Sequence, residues 1–347
     1  MKRTIPYLAV LLVITAFACT RTPQKPVNLI FETDMGNDVD DVIALDLIHK
    51  AQDAGKVRLL MVGVNKSGLS AAGFVDIMDT WYGYPDVPIG FAFDAVQTNP
   101  PRNFNDTVCA LKRPDGTPAF KRSIEDLSAL PPAHELYRKV LSAQDDNSVV
   151  IASVGFSTNL AKLMESGPDS YSPLDGMELI RKKVKFISVM AGNFADTTHA
   201  EYNVVTDLPS AKKVLEDWPT PVVISPFEVG STIRYPATSI ENDFVSADPH
   251  PLVVAYNTYL PMPYDRQAWD PTAVLYAIEG EKWFTVSENG TVTVDDGGHT
   301  HFTPDPEGNR KYLSVTEEQA DAILKYFLEV VPQRPACLKA LRTPVDH

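Results

Sequence analysis

Short aliphatic runs recur along this chain, each followed by a stretch with helical apolar spacing, and that alternation restricts the fold most. Residues 27–32, 57–64, 87–93, 149–154, 184–190 and 222–225 read as strands, and their near-continuous apolar character suits strands covered on both faces. Residues 41–50, 70–82, 135–143, 158–165, 208–218 and 316–331 carry helical faces, the last opening on a Thr-x-x-Gln start signal at Thr316. Strand followed by helix, repeated this often, predicts an α/β fold with a mostly parallel central sheet flanked by helices. Residues 283–302, with Glu-Asn-Gly and Asp-Asp-Gly-Gly turns, predict a small antiparallel ribbon near the C-terminus. Residues 98–118, rich in Pro and Asn, read as a loop, and no internal repeat or linker divides 27–332, so one domain with a tail at 333–347 is expected.

The N-terminus reads as an address. Lys2 and Arg3 precede an apolar run of residues 7–18, too short to span a membrane and suited to a signal peptide over 1–18. Ala16 and Ala18 lead into Cys19, which resembles the lipidated first residue of a mature bacterial lipoprotein, with 19–26 as tether. An extracytoplasmic, lipid-anchored protein is expected, touching the membrane only through that anchor. Cys109 and Cys337 remain; sequence leaves open whether they pair. Acids outnumber bases 45 to 31, a net charge of −14, so the long-range field repels nucleic acid and favours a cation or neutral small molecule.

The chemistry gathers where the first strand ends. Residues 34–41 read Asp-Met-Gly-Asn-Asp-Val-Asp-Asp, four carboxylates between a buried strand and a helix start. Ligands of open α/β sheets bind beyond the carboxyl ends of strands. One or two acids suit a helix N-terminus; four that close repel unless a cation or protons neutralise them, and hard oxygen donors favour Ca²⁺ or Mg²⁺. The loop is not an EF-hand, because Leu45 stands at the twelfth position and Val39 where Gly is required. No glycine-rich phosphate loop occurs here either.

The stretch TDMGNDVDDVIAL resembles the N-terminal signature of calcium-dependent nucleoside hydrolases, Asp-x-Asp-Pro-Gly-x-Asp-Asp-Ala. Glu32 replaces the first Asp, Met35 replaces Pro, and the segment before the last Asp pair is longer by two residues. Further stretches follow the family in order: VGVNK (62–66), VGFSTNL (154–160), VMAGN (189–193), AEYN (200–203) and WDPTAV (269–274).

The resemblance implies hydrolysis of the N-glycosidic bond of ribonucleosides. It implies Ca²⁺ held by Asp34, Asp41, Asp270 and the Val154 carbonyl, with Asp34 also the base that takes a proton from water. Asp40, Asn65, Glu201 and Asn203 would hold ribose and Asn193 the 5′-hydroxyl; the extension leaves Asp38 as an alternative to Asp40. Trp269, where many relatives carry His, implies stacking on a purine and hence purine preference. Asp265, Tyr264 and His199 are alternative acids for the leaving base. Asn159 is read as a capping or turn group, Asp270 also as a cap for a helix beginning at Pro271, and His49 and His199 as surface residues. The partner is a small ribonucleoside, and the family implies a homo-oligomer. Two alternatives stay open: a nucleoside- or sugar-binding lipoprotein without turnover, and a hydrolase of another glycoside.

Overall fold

The computed structural model describes residues 25–98, 103–244 and 249–339. The expected signal segment, Cys19 and most of the tether lie outside these residues. None of the described helices is long and apolar enough to cross a membrane.

Six strands alternate with helices in the first two-thirds of the chain: β1 (Val27–Thr33), β2 (Val57–Val64), β3 (Ile89–Phe91), β4 (Val149–Ser153), β5 (Val184–Met190) and β6 (Val222–Ser225). All six pair in parallel, in the order β6-β5-β4-β1-β2-β3. Two short strands, β7 (Arg234–Tyr235) and β8 (Arg266–Gln267), pair separately. Near the C-terminus β9 (Thr285–Val286), β10 (Gly290–Val294), β11 (Thr300–Pro304) and β12 (Arg310–Ser314) form the expected antiparallel ribbon. β12 runs parallel to β6, so among the described residues ribbon and main sheet make one sheet of ten strands.

The helices are α1 (Asp40–Asp53), α2 (Leu69–Tyr82), α3 (Phe104–Ala110), α4 (Ala133–Ser142), α5 (Thr158–Glu165), α6 (Gly176–Lys183), α7 (Tyr202–Thr206) and α8 (Leu208–Asp217). They continue with α9 (Phe227–Thr232), α10 (Ala237–Asn242), α11 (Pro251–Tyr259), α12 (Trp269–Glu279), α13 (Glu317–Val330) and α14 (Ala336–Lys339). α1, α2, α12 and α13 cover one face of the sheet through a core that includes Ile43, Leu47, Phe74, Val274 and Phe327. α4, α5, α6 and α8 cover the other through Leu141, Leu163, Ile180 and Leu215. Each such apolar side chain, fully buried, contributes about 1.5–3 kcal/mol. Burial on both faces explains why β1 and β4 read as unbroken apolar runs.

The expected loop at 98–118 contains α3. Asn103 caps it by accepting the Asn105 N–H at 3.1 Å, and Phe104 and Val108 bury the inward face. Seven residues give too short a period to stand out among Pro and Asn. α6 was likewise missed, although Asp175 and Glu178 form a reciprocal capping box at its start. His49 is a correction: it is fully buried on α1, with Nε2 2.9 Å from Asp79 and its ring stacked on Tyr82. Its position on the helix face that packs against α2 and its partner's position on α2 could not be paired from spacing alone. Thr316 caps α13 as expected, with Gln319 closing the box. Cys109 and Cys337 are both free thiols.

Candidate active site

The carboxyl ends of β1, β5 and β6 border a cavity of about 550 Å³. Asp34 follows β1 directly, Asp40 and Asp41 occupy the first turn of α1, and Asp270 lies in the first turn of α12. α12 begins at Trp269 with Ala268 as its cap residue, two positions earlier than expected, so Asp270 is not a cap. Oxygens of Asp34, Asp41 and Asp270 lie within 4.8 Å of one another, and all three side chains are buried.

Three anions this close repel by about 3–4 kcal/mol per pair at an effective dielectric of about 20. The sum rivals the ~5–15 kcal/mol by which a whole domain is stable. Burial, and then the neighbouring charges, push Asp41 and Asp270 well above the ordinary carboxylate range; burial also raises Asp34. Asp41 receives the Thr33 hydroxyl on one oxygen, while Oδ2 has no hydrogen-bond partner among the described residues. A hard divalent cation answers each of these features: it offsets the repulsion and takes the orphaned oxygen.

The Val154–Gly155 backbone completes this corner. Gly155 has φ +85°, and a Cβ there would lie 2.4 Å from Asp34 Oδ1, so only glycine lets the Asp34 carboxylate rest on this turn. The Val154 carbonyl accepts an N–H from Asn65 Nδ2 at 3.2 Å and keeps a second lone pair. Asp34 is further fixed by Asn37, whose Nδ2 donates to Oδ2 at 2.6 Å, and Lys66 Nζ in turn donates to Asn37 Oδ1 at 3.0 Å.

The structure divides the other expected site residues. Asp40, Glu201, Asn203 and Trp269 line the cavity with the metal-site acids. Asn65 and Asn193 do not. Asn65 is fully buried, donating to Glu32 and Val154 O and accepting the Phe156 N–H at 3.1 Å, so its amide is spent on the frame. Asn193 Oδ1 accepts the N–H groups of Ala195 and Asp196, shaping the turn after β5. Asn159 is not a cap; its amide donates to Glu32 at 3.0 Å and to Val64 O at 3.2 Å. Glu32 therefore sits beneath the metal corner as a buried acceptor for two amides, and burial pushes it up to about 7. It fits because its register partner on β2 is Gly63, where a Cβ would meet Glu32 Oε1 at 1.7 Å.

Glu201 has two uses. It caps α7, accepting from the N–H groups of Asn203 at 2.9 Å and Val204 at 3.2 Å, and it also takes the Gly192 N–H at 3.2 Å. Burial pushes it up to about 7. Phe227 and Arg266 line the cavity without a sequence expectation, and Asp38, the expected alternative to Asp40, lines it as well. Asp38, part of the two-residue extension, is held by Arg266 through Nε at 2.8 Å and through Nη2. The Arg266 guanidinium lies over the Trp269 ring, 5.1 Å from its centroid. Phe227 stacks on Trp269 at 5.5 Å, and His199, half-buried rather than on the open surface, lies against Phe227 at 4.5 Å. The sequence signal for Phe227 and Arg266 was only their place just after or before elements that end at the sheet's rim.

The family model described as "Inosine-uridine preferring nucleoside hydrolase" matches residues 29–322. The chain belongs to this family. It is thus a hydrolase acting on nucleosides, and the acidic corner at the end of β1 is where the resemblance placed the family signature. Solved structures share the hydrolase fold. A plant nucleoside hydrolase is 18% identical, with 87% of this chain and 99% of that one aligned at a TM-score of 0.64. An inosine-uridine preferring nucleoside hydrolase from Bacillus anthracis is 16% identical over 87% and 99%, also at 0.64. A purine-preferring ribonucleoside hydrolase from Gardnerella vaginalis is 18% identical over 88% and 98%, again at 0.64. No curated protein matches the sequence.

Proposed function

We propose that this nucleoside hydrolase cleaves the N-glycosidic bond of purine ribonucleosides with calcium as its resident ion. The observation that carries the reading is the meeting of Asp270 with Asp34 and Asp41, three buried carboxylates delivered by two distant stretches of chain. Oxygen-only donors and the adjacent Val154 carbonyl suit calcium better than a softer metal. The bound ion would lower the pKa of a neighbouring water and anchor the ribose diol.

The side chains divide the remaining work. Asp34, oriented by Asn37, accepts the proton of the attacking water. Asp40, fixed by the Asp270 N–H, and Glu201 with Asn203 at the start of α7 face the ribose. Their carboxylates favour the positive charge that develops on the sugar as the bond to the base breaks. The base then lies along the wall formed by His199, Phe227 and Trp269, whose ring area suits a purine. A fold neighbour named for purine preference is consistent with this choice.

The test is release of free ribose from inosine and uridine, with calcium and with a chelator. Chelator-sensitive hydrolysis, faster on inosine, is the expected result. Faster uridine cleavage would remove the purine assignment, chelator-insensitive turnover the calcium one, and binding of inosine without turnover would favour a capture protein. We further propose lipid anchoring at Cys19 outside the cytoplasm and a homo-oligomer in solution. Release of Cys19→Ala from membranes and the mass in solution test these two.

A further inference from the structure

Breaking the C1′–N bond leaves an electron pair on the base, and a purine departs readily only if it gains a proton. Three side chains offered by the sequence could supply it, and the structure separates them. Asp265 Oδ1 accepts the Ala237 N–H at 2.9 Å, and Tyr264 donates its hydroxyl to the Tyr256 carbonyl at 2.7 Å; neither lines the cavity. His199 does line it, at the outer end of the aromatic wall, with its ring centroid 4.5 Å from that of Phe227. Neither of its ring nitrogens has a hydrogen-bond partner among the described residues, so an imidazole N–H is available to a ligand.

The other proton carriers of the cavity are committed. Glu201 aims its oxygens at three backbone N–H groups. Arg266 is clamped to Asp38 and does not give up its proton near neutrality. Burial and the Asp34 charge hold the Tyr202 phenol above its ordinary value, too weak an acid for efficient transfer at pH 7.

We propose that His199, as the imidazolium, is the acid that protonates the departing base; this rests on reading the cavity as a nucleoside-cleaving site. The C1′–N electron pair passes to the base, a base nitrogen takes the proton from His199, the water oxygen bonds to C1′, and the water's proton passes to Asp34. The neutral imidazole regains its proton from solvent. The carboxylates that face His199 are Asp196 on the same loop and Glu228 on α9, and His299 faces Asp196 from the ribbon side.

The experiment compares His199→Ala and His199→Asn with wild type on inosine and on 4-nitrophenyl β-ribofuranoside, whose leaving group departs without a proton. Hydrolysis of inosine should fall about 10²–10³-fold, and the loss of wild-type rate at alkaline pH should vanish in the variants. The kcat for the nitrophenyl riboside should fall by no more than about threefold while its KM rises with the loss of one ring from the wall, and an unchanged circular dichroism spectrum shows that the variants fold. Equal losses on both substrates, or no loss on inosine, overturn the role of His199. A wild-type enzyme inactive on both substrates overturns the reading of the cavity itself, and the proposal with it.

Discussion

Asp40 accepts the backbone N–H of Asp270 at 3.0 Å, tying the start of α12 to the start of α1. A carboxylate that lines the cavity is thereby also the one that sets the position of a member of the buried acidic triad. Groups that orient metal ligands commonly matter about 10–100-fold for affinity. Asp40→Ala should therefore weaken calcium binding by about that factor, whereas Asp40→Asn keeps an acceptor oxygen and should stay near wild type in affinity while losing turnover. Calorimetric titration of calcium beside a ribose-release assay separates the two; equal affinities for all three proteins would refute the tie.

Stripping the ion should cost stability in a pH-dependent way. Burial first, then mutual repulsion, raises the carboxyls of Asp41 and Asp270, so the ion-free native state binds protons the unfolded chain has already released. Stability of the ion-free protein therefore falls as pH rises above the ordinary carboxylate range. Calcium at about 100 times its Kd adds about 2.7 kcal/mol, or about 4 °C in Tm for a domain of this size. The Tm gain on adding calcium should be larger at pH 8 than at pH 5.5. A gain independent of pH would show that these carboxylates are not its source.

Arg266 and Asp38 form a partly buried pair beside Asp40, whose carboxyl is raised by burial first and then by the Asp38 charge. Removing the cation alone leaves Asp38 uncompensated there. Arg266→Met should lower Tm more than the double variant Arg266→Met with Asp38→Asn, because an unpaired buried charge costs more than the pair contributes. Thermal melts of the four proteins in the cycle decide it, and strictly additive effects would contradict it.

His250 caps α11 through Nδ1, which accepts the Leu252 N–H at 3.3 Å, between the rings of Trp81 and Phe244. Burial, helped by the Lys50 charge, lowers it to about 3. The native state thus binds fewer protons here than the unfolded chain, so its contribution is intact above the ordinary histidine value and is lost as pH falls. Between about pH 6.5 and pH 5 that loss is about 2 kcal/mol. His250→Asn should decline less than wild type between pH 7.5 and pH 5 by about this amount in urea titrations. An unchanged difference would show that His250 does not titrate on unfolding.

The parallel strands were legible because burial on both faces writes an unbroken apolar run into the sequence; 57–64, 184–190 and 222–225 coincide with β2, β5 and β6. The short helices α9, α10 and α11 were not, since each offers only two or three turns and takes its place from tertiary packing. The Asp34–Asp41 side of the acidic corner was readable from the charge density of residues 34–41, whereas the arrival of Asp270 beside them rests on the fold. Distinguishing Asp40, which faces the cavity, from Asn65, which turns beneath it, was beyond the sequence. Both follow strand ends, and only the neighbouring carbonyl of Val154 and the carboxylate of Glu32 decide where the Asn65 amide points.

Glu32 occupies space that a side chain on the adjacent strand would otherwise fill, because its register partner is Gly63. The longer acid and the missing β-carbon are one feature shared by two positions. Gly63→Ala alone should be severely disruptive, and Glu32→Asp alone should leave a hole under the metal corner. Made together they exchange one methylene for one methyl, so these two positions are expected to drift through evolution as a couple rather than singly.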